Sequence, residues 1–492
     1  MVIEEHRSSA PMVSLASAPP VHERWVGKLL HTWLFGLIVV LPLSIQVYSP
    51  GPDLEVILPS ELLIALACVH VGAMVVFNPK TLSVDRRFLS HPISVLVLAS
   101  LGIDLVATAF STMPLVSAKA AVVKVAHLFL FYFVLGGVFR SIKVAPVRSL
   151  WIYSYVFLAV VVYTVLMQAG KGFDRAGSSF ASFPFYGDHT IYGAALVFVL
   201  FWFAGETGRS WQERGHVARS TILSLVTLGL AIALYVSFCR AAWVSVFVSL
   251  AAWAVFTLGG RLWTFLGAGA TAVAVAIIWS VTLAPGPDRA PLDSNSDDAA
   301  GRASLLSLVN VRTDHSNRER LNRWSCAYRM FLDRPWTGFG PGTFQFKYTD
   351  YQRPEEMTYT SVKPGNSPKR ITRAWSFTDD VFVRANPQIL NFSGGTAHSE
   401  YLLALSGSGV FAMGVFIALF VCCLRTGIHL LDQGPSGRTR IDALVLMACL
   451  IAYFTHALFN NYLDNGKIAF LFWTSLALLA RMDVERARDA ST

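Results

Sequence analysis

The sequence is dominated by apolar stretches that each approach the length of a membrane-spanning helix, which takes about 20 residues. Only 14% of the 492 residues are charged and 54% are hydrophobic, whereas a soluble chain carries roughly a quarter charged residues. We therefore predict an all-α integral membrane protein with about 12 transmembrane helices. The twelve stretches are residues 29–47, 56–77, 92–110, 118–138, 149–169, 190–205, 221–238, 241–259, 262–283, 401–424, 441–459 and 466–480.

The polar segments divide the chain into five parts. Residues 1–28 are rich in Ser, Ala and Pro without a continuous apolar core, which predicts a disordered tail and no cleaved signal peptide. Helices one to nine are expected in 29–283 and helices ten to twelve in 397–480, with a second tail at 481–492. Between them, residues 284–396 form a polar insert too long for a simple connection, expected to be a large loop containing short helices.

Lysine and arginine are concentrated in alternate connections between the apolar stretches. The remaining short connections, such as STMPLVS at 111–117 and NNYLDNG at 460–466, almost lack them. Since cytoplasmic loops carry the excess of basic residues, both tails are expected in the cytoplasm. The large loop, Arg175, His189 and Arg240 are then expected on the outer face of the membrane, which in a bacterium is the periplasmic side. The net charge of +9 reflects this orientation and does not indicate a nucleic-acid partner.

Several ionisable residues fall inside the predicted helices. Asp104 and Lys124 both lie about six residues, or roughly 10 Å, from the outer ends of neighbouring helices, so we expect them to pair. The pair is either a fixed structural link or part of a substrate cavity. His70, His127 and His456 are expected to be hydrogen-bonded core histidines. The six cysteines show no metal-ligand spacing and are expected to pack as small apolar residues.

The large insert contains one clear amphipathic helix. Ser316 and Glu319 form a capping-box pattern at its start, and Pro335 ends it. Arg320 lies at the edge of the apolar stripe, with Arg323 nearby; such arginines either face lipid headgroups or grip a phosphate. The apolar stripe consists of Leu321, Trp324, Tyr328 and Phe331. The following glycine-rich segment, 338–342, is either a plain turn or a place where backbone approaches a ligand.

Three further residues are candidates for chemistry at the outer face. Arg240, at the start of a helix, either binds phosphate oxygens with parallel hydrogen bonds or extends to lipid headgroups. His398, where the chain re-enters the membrane, is the best candidate for a general base, and its alternative role is a helix cap. Glu400 is a candidate for orienting substrate, although residues two apart do not face each other on a helix.

Three motifs together resemble the O-antigen ligase and polymerase family. They are FCRAAW at 238–243, RLNRWSCAYRMFLDRPWTGFGPGTF at 320–344 and AHSEYLLALSGSG at 397–409, and the resemblance runs over about 175–424. It implies a glycosyltransferase that moves a glycan from a polyprenyl diphosphate carrier to an acceptor hydroxyl, with no metal or other cofactor. The acceptor is lipid A core, another lipid-linked repeat or a protein side chain.

The resemblance also implies roles for individual residues. Arg240 corresponds to the arginine of a Ser-Arg-x-x-Trp pattern that engages the diphosphate, and Arg320 to a loop arginine. His398 corresponds to the proposed base, and Arg175 to a position near the sugar. Cys239 stands where Ser is common, and Ser399 where Asn is frequent, so neither takes a family role. The substrate-binding candidates are Arg175, Arg323, His189, Glu400, Asp104 and Lys124.

Other functions remain open on the sequence alone. Asp53 and Glu55 have a spacing that two carboxylates sharing a divalent cation can adopt, which would fit a metal-dependent glycosyltransferase. A transporter or flippase of lipid-linked glycans would favour internal repeats and a site at the membrane midplane. A purely structural assembly partner is the third alternative. The distinctive residues cluster at one predicted face, which favours chemistry at the membrane surface.

Overall fold

The computed structural model describes residues 21–48, 55–77, 83–139, 145–213, 216–257, 315–353, 395–432 and 437–489. Its helices are α1 Val21–Val40, α2 Ser60–Phe77, α3 Arg86–Leu89, α4 Pro92–Ala109, α5 Pro114–His127 with a π-helical continuation Leu128–Val134, α6 Pro146–Gly170, α7 Arg175–Ser178, α8 His189–Gln212, α9 Val217–Val236, α10 Arg240–Thr257, α11 His315–Asp333, α12 Phe344–Lys347, α13 Glu400–Ser408, α14 Val410–Asp432, α15 Arg438–His456 and α16 Gly466–Asp489.

The protein is a helical membrane protein. Nine of the helices in the described ranges are long and apolar enough to cross a bilayer, namely α2, α4, α5 with its continuation, α6, α8, α9, α10, α14 and α15. The predicted span 262–283 and most of the predicted loop 284–396 lie outside the described residues. The count of twelve spans therefore stays a prediction.

Helices α8, α15 and α16 form the centre of the bundle. Seventy-two per cent of the apolar windows of α8 and α15 is buried, and α16 is buried from Lys467 to Ala480. Helices that are apolar all round belong in such an interior. The Cys449 thiol approaches the Phe198 carbonyl, and a Cβ at Gly205 would meet Val445, so α15 runs antiparallel to α8 and ends beside the start of α8. The end of the bundle where α8, α10 and α16 begin is called the upper end below.

The prediction of one continuous helix over residues 29–47 is wrong after Val40. Helix α1 ends at Val40, and a 3₁₀ turn containing Pro42 follows. The chain then forms strand β1, Ile45–Tyr48, which pairs antiparallel with β2, Glu55–Leu58. The β-branched residues in these segments favour strands over helix. A small two-stranded hairpin therefore lies at the upper end of an otherwise helical protein.

The tenth predicted span, 401–424, is not one helix. It is divided at Gly409, which has a φ of 84°. A side chain at this position would overlap the Trp336 carbonyl oxygen, and the next amide, of Val410, donates to the Pro335 carbonyl at 2.9 Å. The apolar pattern continues across the break, but the neighbouring loop requires a close backbone approach that only glycine allows.

Helix α11 is confirmed, since it ends at Asp333, just before Pro335. The glycine-rich segment that follows runs along α13: Phe339 N donates to Ser406 O at 3.0 Å and Gly340 N to Gly407 O at 2.8 Å. These glycines bring two backbones together. The contacts favour the turn interpretation of 338–342 over a ligand loop.

Candidate functional site

His398 lies at a bend in the short segment that leads into α13. Its φ is 49°, in the left-handed region that non-glycine residues avoid, and its carbonyl accepts a hydrogen bond from Trp324 Nε1 at 3.4 Å. Phe238, two residues before Arg240, has a φ of 53°. Backbone of this kind costs about 1–3 kcal/mol per residue and is concentrated at functional sites. Two of the three predicted catalytic residues are therefore placed by strained turns.

Charged side chains surround the imidazole of His398. Its pKa is lowered to about 3, chiefly by burial and then by the guanidinium groups of Arg323 and Arg320, while Asp188 opposes the shift. The imidazole is therefore neutral at neutral pH and has a free lone pair for a proton. The structure thus brings Arg320 and Arg323 of α11 close to His398, as the sequence predicts.

Arg323 holds the His398 segment in place. Its Nε donates to Glu319 at 2.6 Å, its Nη1 donates to the Thr396 carbonyl at 3.0 Å, and its guanidinium lies 5.1 Å from the centre of the Tyr348 ring. The residue is only 5% exposed. These contacts favour a positioning role for Arg323 over the direct substrate contact that was predicted.

Asp188 and His189 stand at the start of α8. The Asp188 carboxylate caps the helix by accepting from the Thr190 amide and lies 3.6 Å from His189 Nδ1. The His189 amide donates to the Ser179 carbonyl at 3.1 Å, which brings the turn Arg175–Ser178 near the site. The side chain of Arg175 lies outside the described residues.

The start of α10 belongs to the same neighbourhood. The charges of Asp188 and Arg320 both act on the Cys239 thiol, and Cys239 directly precedes Arg240. A side chain at Gly193 of α8 would lie 2.8 Å from the Cys239 Cβ, so α8 and α10 touch here. The starts of α8 and α10 therefore lie near Arg320 of α11.

Glu400 anchors the loop after α15. Its Oε1 accepts from the Tyr453 hydroxyl at 2.9 Å, from Tyr462 N at 2.7 Å and from Leu463 N at 2.9 Å. Burial raises the pKa of this carboxyl to about 7, although the three donors oppose the rise. Tyr462 in turn contacts the Thr190 hydroxyl. The geometry favours a structural role for Glu400 over substrate orientation.

Two residues near the site, His456 and Asp188, were not predicted to belong there. Arg320 and Asp188 act electrostatically on His456, whose ring lies 5.8 Å from that of Tyr462. His456 was expected to be a core histidine. Asp188 had a readable signal as the N-cap of a helix, but its distance of 210 residues from His398 in the chain hides their proximity.

The predictions for ionisable residues inside the membrane have different outcomes. Lys124 pairs with Asp104 as predicted, and the second Asp104 oxygen accepts from Ser408 Oγ at 2.6 Å. Ser408 is at the opposite end of α13 from His398, so the pair lies apart from His398, and Ser408 also lines an apolar cavity. His127 and His456 are buried in the core as expected. Within the described ranges, however, one ring nitrogen each of His70, His127 and His456 has no hydrogen-bond partner.

An apolar cavity of about 440 Å³ lies beside this ion pair. Helix α4, the loop after α11 and the start of α14 form its walls. Its lining includes Ile103, Val106, Trp336, Ser408 and Phe411. The cavity has the character of a site for a hydrocarbon chain.

A metal centre finds no support in the described part of the chain. No group of three His, Cys, Asp or Glu side chains there is arranged to hold an ion. Asp53 lies outside the described residues, and Glu55 begins β2. The six cysteines are free, as expected.

The fold and the site define a polytopic helical membrane protein in which arginines, an aspartate and imidazoles meet at one end of the bundle. Residues 223–367 match the O-antigen ligase family. The resemblance that the motifs predict is therefore confirmed over this part of the chain, which contains Arg240, Arg320 and Arg323, while His398 lies beyond it. The family implies a glycosyltransferase-like enzyme of the inner membrane that uses a lipid-linked glycan and an acceptor. Comparison with curated proteins found no match.

Proposed function

We propose that the protein transfers a glycan from undecaprenyl diphosphate to an acceptor hydroxyl at the outer face of the bacterial inner membrane, as a ligase or a polymerase. The observation that carries this proposal is the position of His398, neutral and within the field of Arg320 and Arg323. A neutral imidazole beside fixed cations suits a reaction that releases a diphosphate and a proton together.

The chemistry follows from this arrangement. The acceptor oxygen attacks the anomeric carbon, the bond from that carbon to the diphosphate oxygen breaks, and the electron pair leaves with the diphosphate. His398 takes the proton of the acceptor hydroxyl. Arg320 and Arg240 stabilise the charge that grows on the departing phosphate, without a metal. A single displacement of this kind inverts the anomeric centre.

The low pKa of His398 also links base strength to substrate binding. With a pKa of about 3, the imidazole is a weak base while the site holds no anion. A bound diphosphate would offset the arginine charges and raise the pKa of His398, since a nearby negative charge favours the protonated ring. The base would then reach useful strength when the donor is present.

The remaining candidates take positions around this centre. Arg175 and His189 would lie near the glycan, and the apolar cavity of about 440 Å³ would hold part of the isoprenoid chain. Surrounding membrane lipids would complete the binding surface. The acceptor would be a lipid A core or another glycan.

Deletion of the gene, followed by complementation, tests the proposal. We expect His398→Ala and Arg320→Ala to lower glycan transfer by about 10²-fold or more, because each removes part of the catalytic machinery. Arg219→Ala is the matched control, since that arginine is 47% exposed and lies at the other end of the bundle. Free core with accumulated polymer would indicate a ligase, and core with one repeat a polymerase.

The same variants exclude the alternatives. Full complementation by His398→Ala and Arg240→Ala would contradict an enzymatic role and favour a structural partner. Movement of labelled lipid-linked glycan across liposomes by the purified protein, with no transfer product, would favour a transporter. Loss of transfer in EDTA, with recovery on adding a divalent cation, would favour the metal-dependent mechanism.

A further inference from the structure

The turn after α15 holds buried polar atoms that the protein itself does not use. His456 is 2% exposed and Asn461 is 5% exposed. Among the residues that the structure describes, no partner exists for His456 Nδ1 or for either polar atom of the Asn461 side chain. Buried side-chain polar atoms are nearly always hydrogen-bonded, and each unmet one costs about 1–3 kcal/mol. Three such atoms in one turn call for an explanation.

These atoms lie beside the proposed active site. The charges of Arg320 and Asp188 act on His456 and also on the Tyr462 hydroxyl. Asn461 directly precedes Tyr462, which contacts Thr190 at the start of α8. The turn therefore lies beside the start of α8 and near Arg320 of α11.

Hydrogen bonds hold this turn in place, so the missing hydrogen-bond partners do not result from loose packing. Glu400 accepts hydrogen bonds from Tyr462 N and Leu463 N, the two amides that follow Asn461. The Asn460 amide nitrogen lies 3.0 Å from His456 Nε2, and the Asn460 backbone N donates to the His456 carbonyl at 3.1 Å. Binding sites are commonly built in this way, with the side chains that contact the ligand held in place by hydrogen bonds to their neighbours.

The chemistry of these atoms indicates the kind of ligand. Because the Asn460 amide donates to His456 Nε2, the proton of the neutral ring is on Nδ1, which is a donor. Asn461 adds an NH₂ donor and a carbonyl acceptor. Phosphate oxygens in the diphosphate only accept, whereas sugar hydroxyls and acetamido groups both donate and accept. A neutral set of donors and an acceptor therefore fits a sugar better than a phosphate.

We propose that Asn461 and His456 bind the sugar attached directly to the carrier diphosphate. The inference rests on the proposed function, in which Arg320 and Arg240 hold the diphosphate itself. The first sugar is then bonded directly to the phosphate and lies next to this turn. Asn461 acts as a specificity-determining residue that contacts substrate and takes no part in the proton transfer.

Binding measurements on the purified full chain in nanodiscs test this inference. The two probes are sugar-free undecaprenyl diphosphate and the glycan-bearing carrier extracted from the deletion strain. We expect Asn461→Ala to bind the sugar-free probe within twofold of wild type and the glycan-bearing probe about tenfold more weakly, as loss of one or two hydrogen bonds predicts. Gln212→Ala, which removes an exposed amide at the other end of α8, should change neither affinity.

Asn461→Leu separates a binding role from a structural one. It replaces a buried amide lacking partners in the described structure with an apolar group of similar size, so the unfolding midpoint should stay equal or rise. Its affinity for the glycan-bearing probe should still fall about tenfold. A lower unfolding midpoint with equal weakening of both probes, or no change in either affinity, would overturn the inference and leave the proposed function standing. Failure of the wild type to bind either probe would overturn both.

Discussion

At the scale of single residues, the site is a neutral imidazole held among charges. A general base must be unprotonated, so the rate falls as the pH drops through its pKa. In the free protein the pKa of His398 is about 3, and a bound diphosphate should raise it. The pKa of His398 should therefore be higher when diphosphate is bound than when the site is empty.

We expect this difference in the pH dependence of glycan transfer. The kcat/KM profile reports the free enzyme and should show no acidic fall from His398 above about pH 5. The kcat profile reports the enzyme–donor complex, so its acidic fall should appear at higher pH. Steady-state transfer rates over about pH 4.5–8 check this, with Arg219→Ala as a control whose profiles should match wild type. Acidic limbs at one common pH would contradict the coupling.

The sequence locates some of these residues and misses others for a physical reason. His398 and Arg320 are recognisable because each lies within a local motif. Asp188 and Asn461 are unremarkable in their own segments and gain significance only through contacts between distant parts of the chain. Periodicity and hydropathy contain no information about such contacts.

At the scale of elements, helix α11 was predictable because its signals are local, namely an apolar stripe and Pro335, although it begins at His315, one residue before the predicted cap Ser316. The break between α13 and α14 was not predictable, because it depends on the carbonyl of Trp336, which lies too close to Gly409 for any side chain. The hairpin of β1 and β2 was also missed, because short apolar runs fit a strand as well as the end of a helix.

Because of the break between α13 and α14, we expect alanine substitution to have opposite effects on stability at two nearby glycines, Gly409 and Gly414. Gly409→Ala should lower the unfolding midpoint and glycan transfer, because it combines a φ of 84° with an overlap against Trp336. Gly414→Ala lies within α14, where a Cβ meets nothing within 4 Å in the described structure, and should stabilise by about 1 kcal/mol. Thermal unfolding of both variants in detergent checks this. Equal effects would argue that α13 and α14 form one continuous helix.

At the scale of the whole molecule, one buried lysine joins three segments at the upper end. Lys467 Nζ donates to the carbonyls of Ser44 at 2.7 Å, Pro42 at 3.4 Å and Phe185. It also lies 4.2 Å from the centre of the Tyr186 ring. The first turn of α16 thereby connects the end of α1 with the segment that leads into α8.

Removing this connection should destabilise the bundle. Lys467→Met keeps most of the side-chain volume but leaves buried carbonyls without their donor, at a cost of about 2 kcal/mol or more. We expect a lower unfolding midpoint in detergent. Lys171→Met, at an exposed position, should have no effect. An unchanged midpoint for Lys467→Met would mean that packing alone holds these segments together.

Charge is distributed unequally between the two ends of the bundle, and this bears on its orientation. At the lower end, buried Asp85 accepts from Arg481 at 3.0 Å and from Arg488, within the set of basic connections. The site lies at the upper end. Because basic loops stay in the cytoplasm, the lower end should be cytoplasmic and the site periplasmic.

Labelling of introduced cysteines tests this orientation directly. Lys171→Cys lies at the upper end and Gln212→Cys at the lower end of α8, and both positions are exposed. A membrane-impermeant maleimide should label Lys171→Cys in cells whose outer membrane alone is permeabilised. It should label Gln212→Cys only after the inner membrane is opened. The unsubstituted chain, whose six cysteines are free and mostly buried, gives the background. The reverse pattern would place Arg320 and His398 in the cytoplasm, where no acceptor on the outer face could reach them.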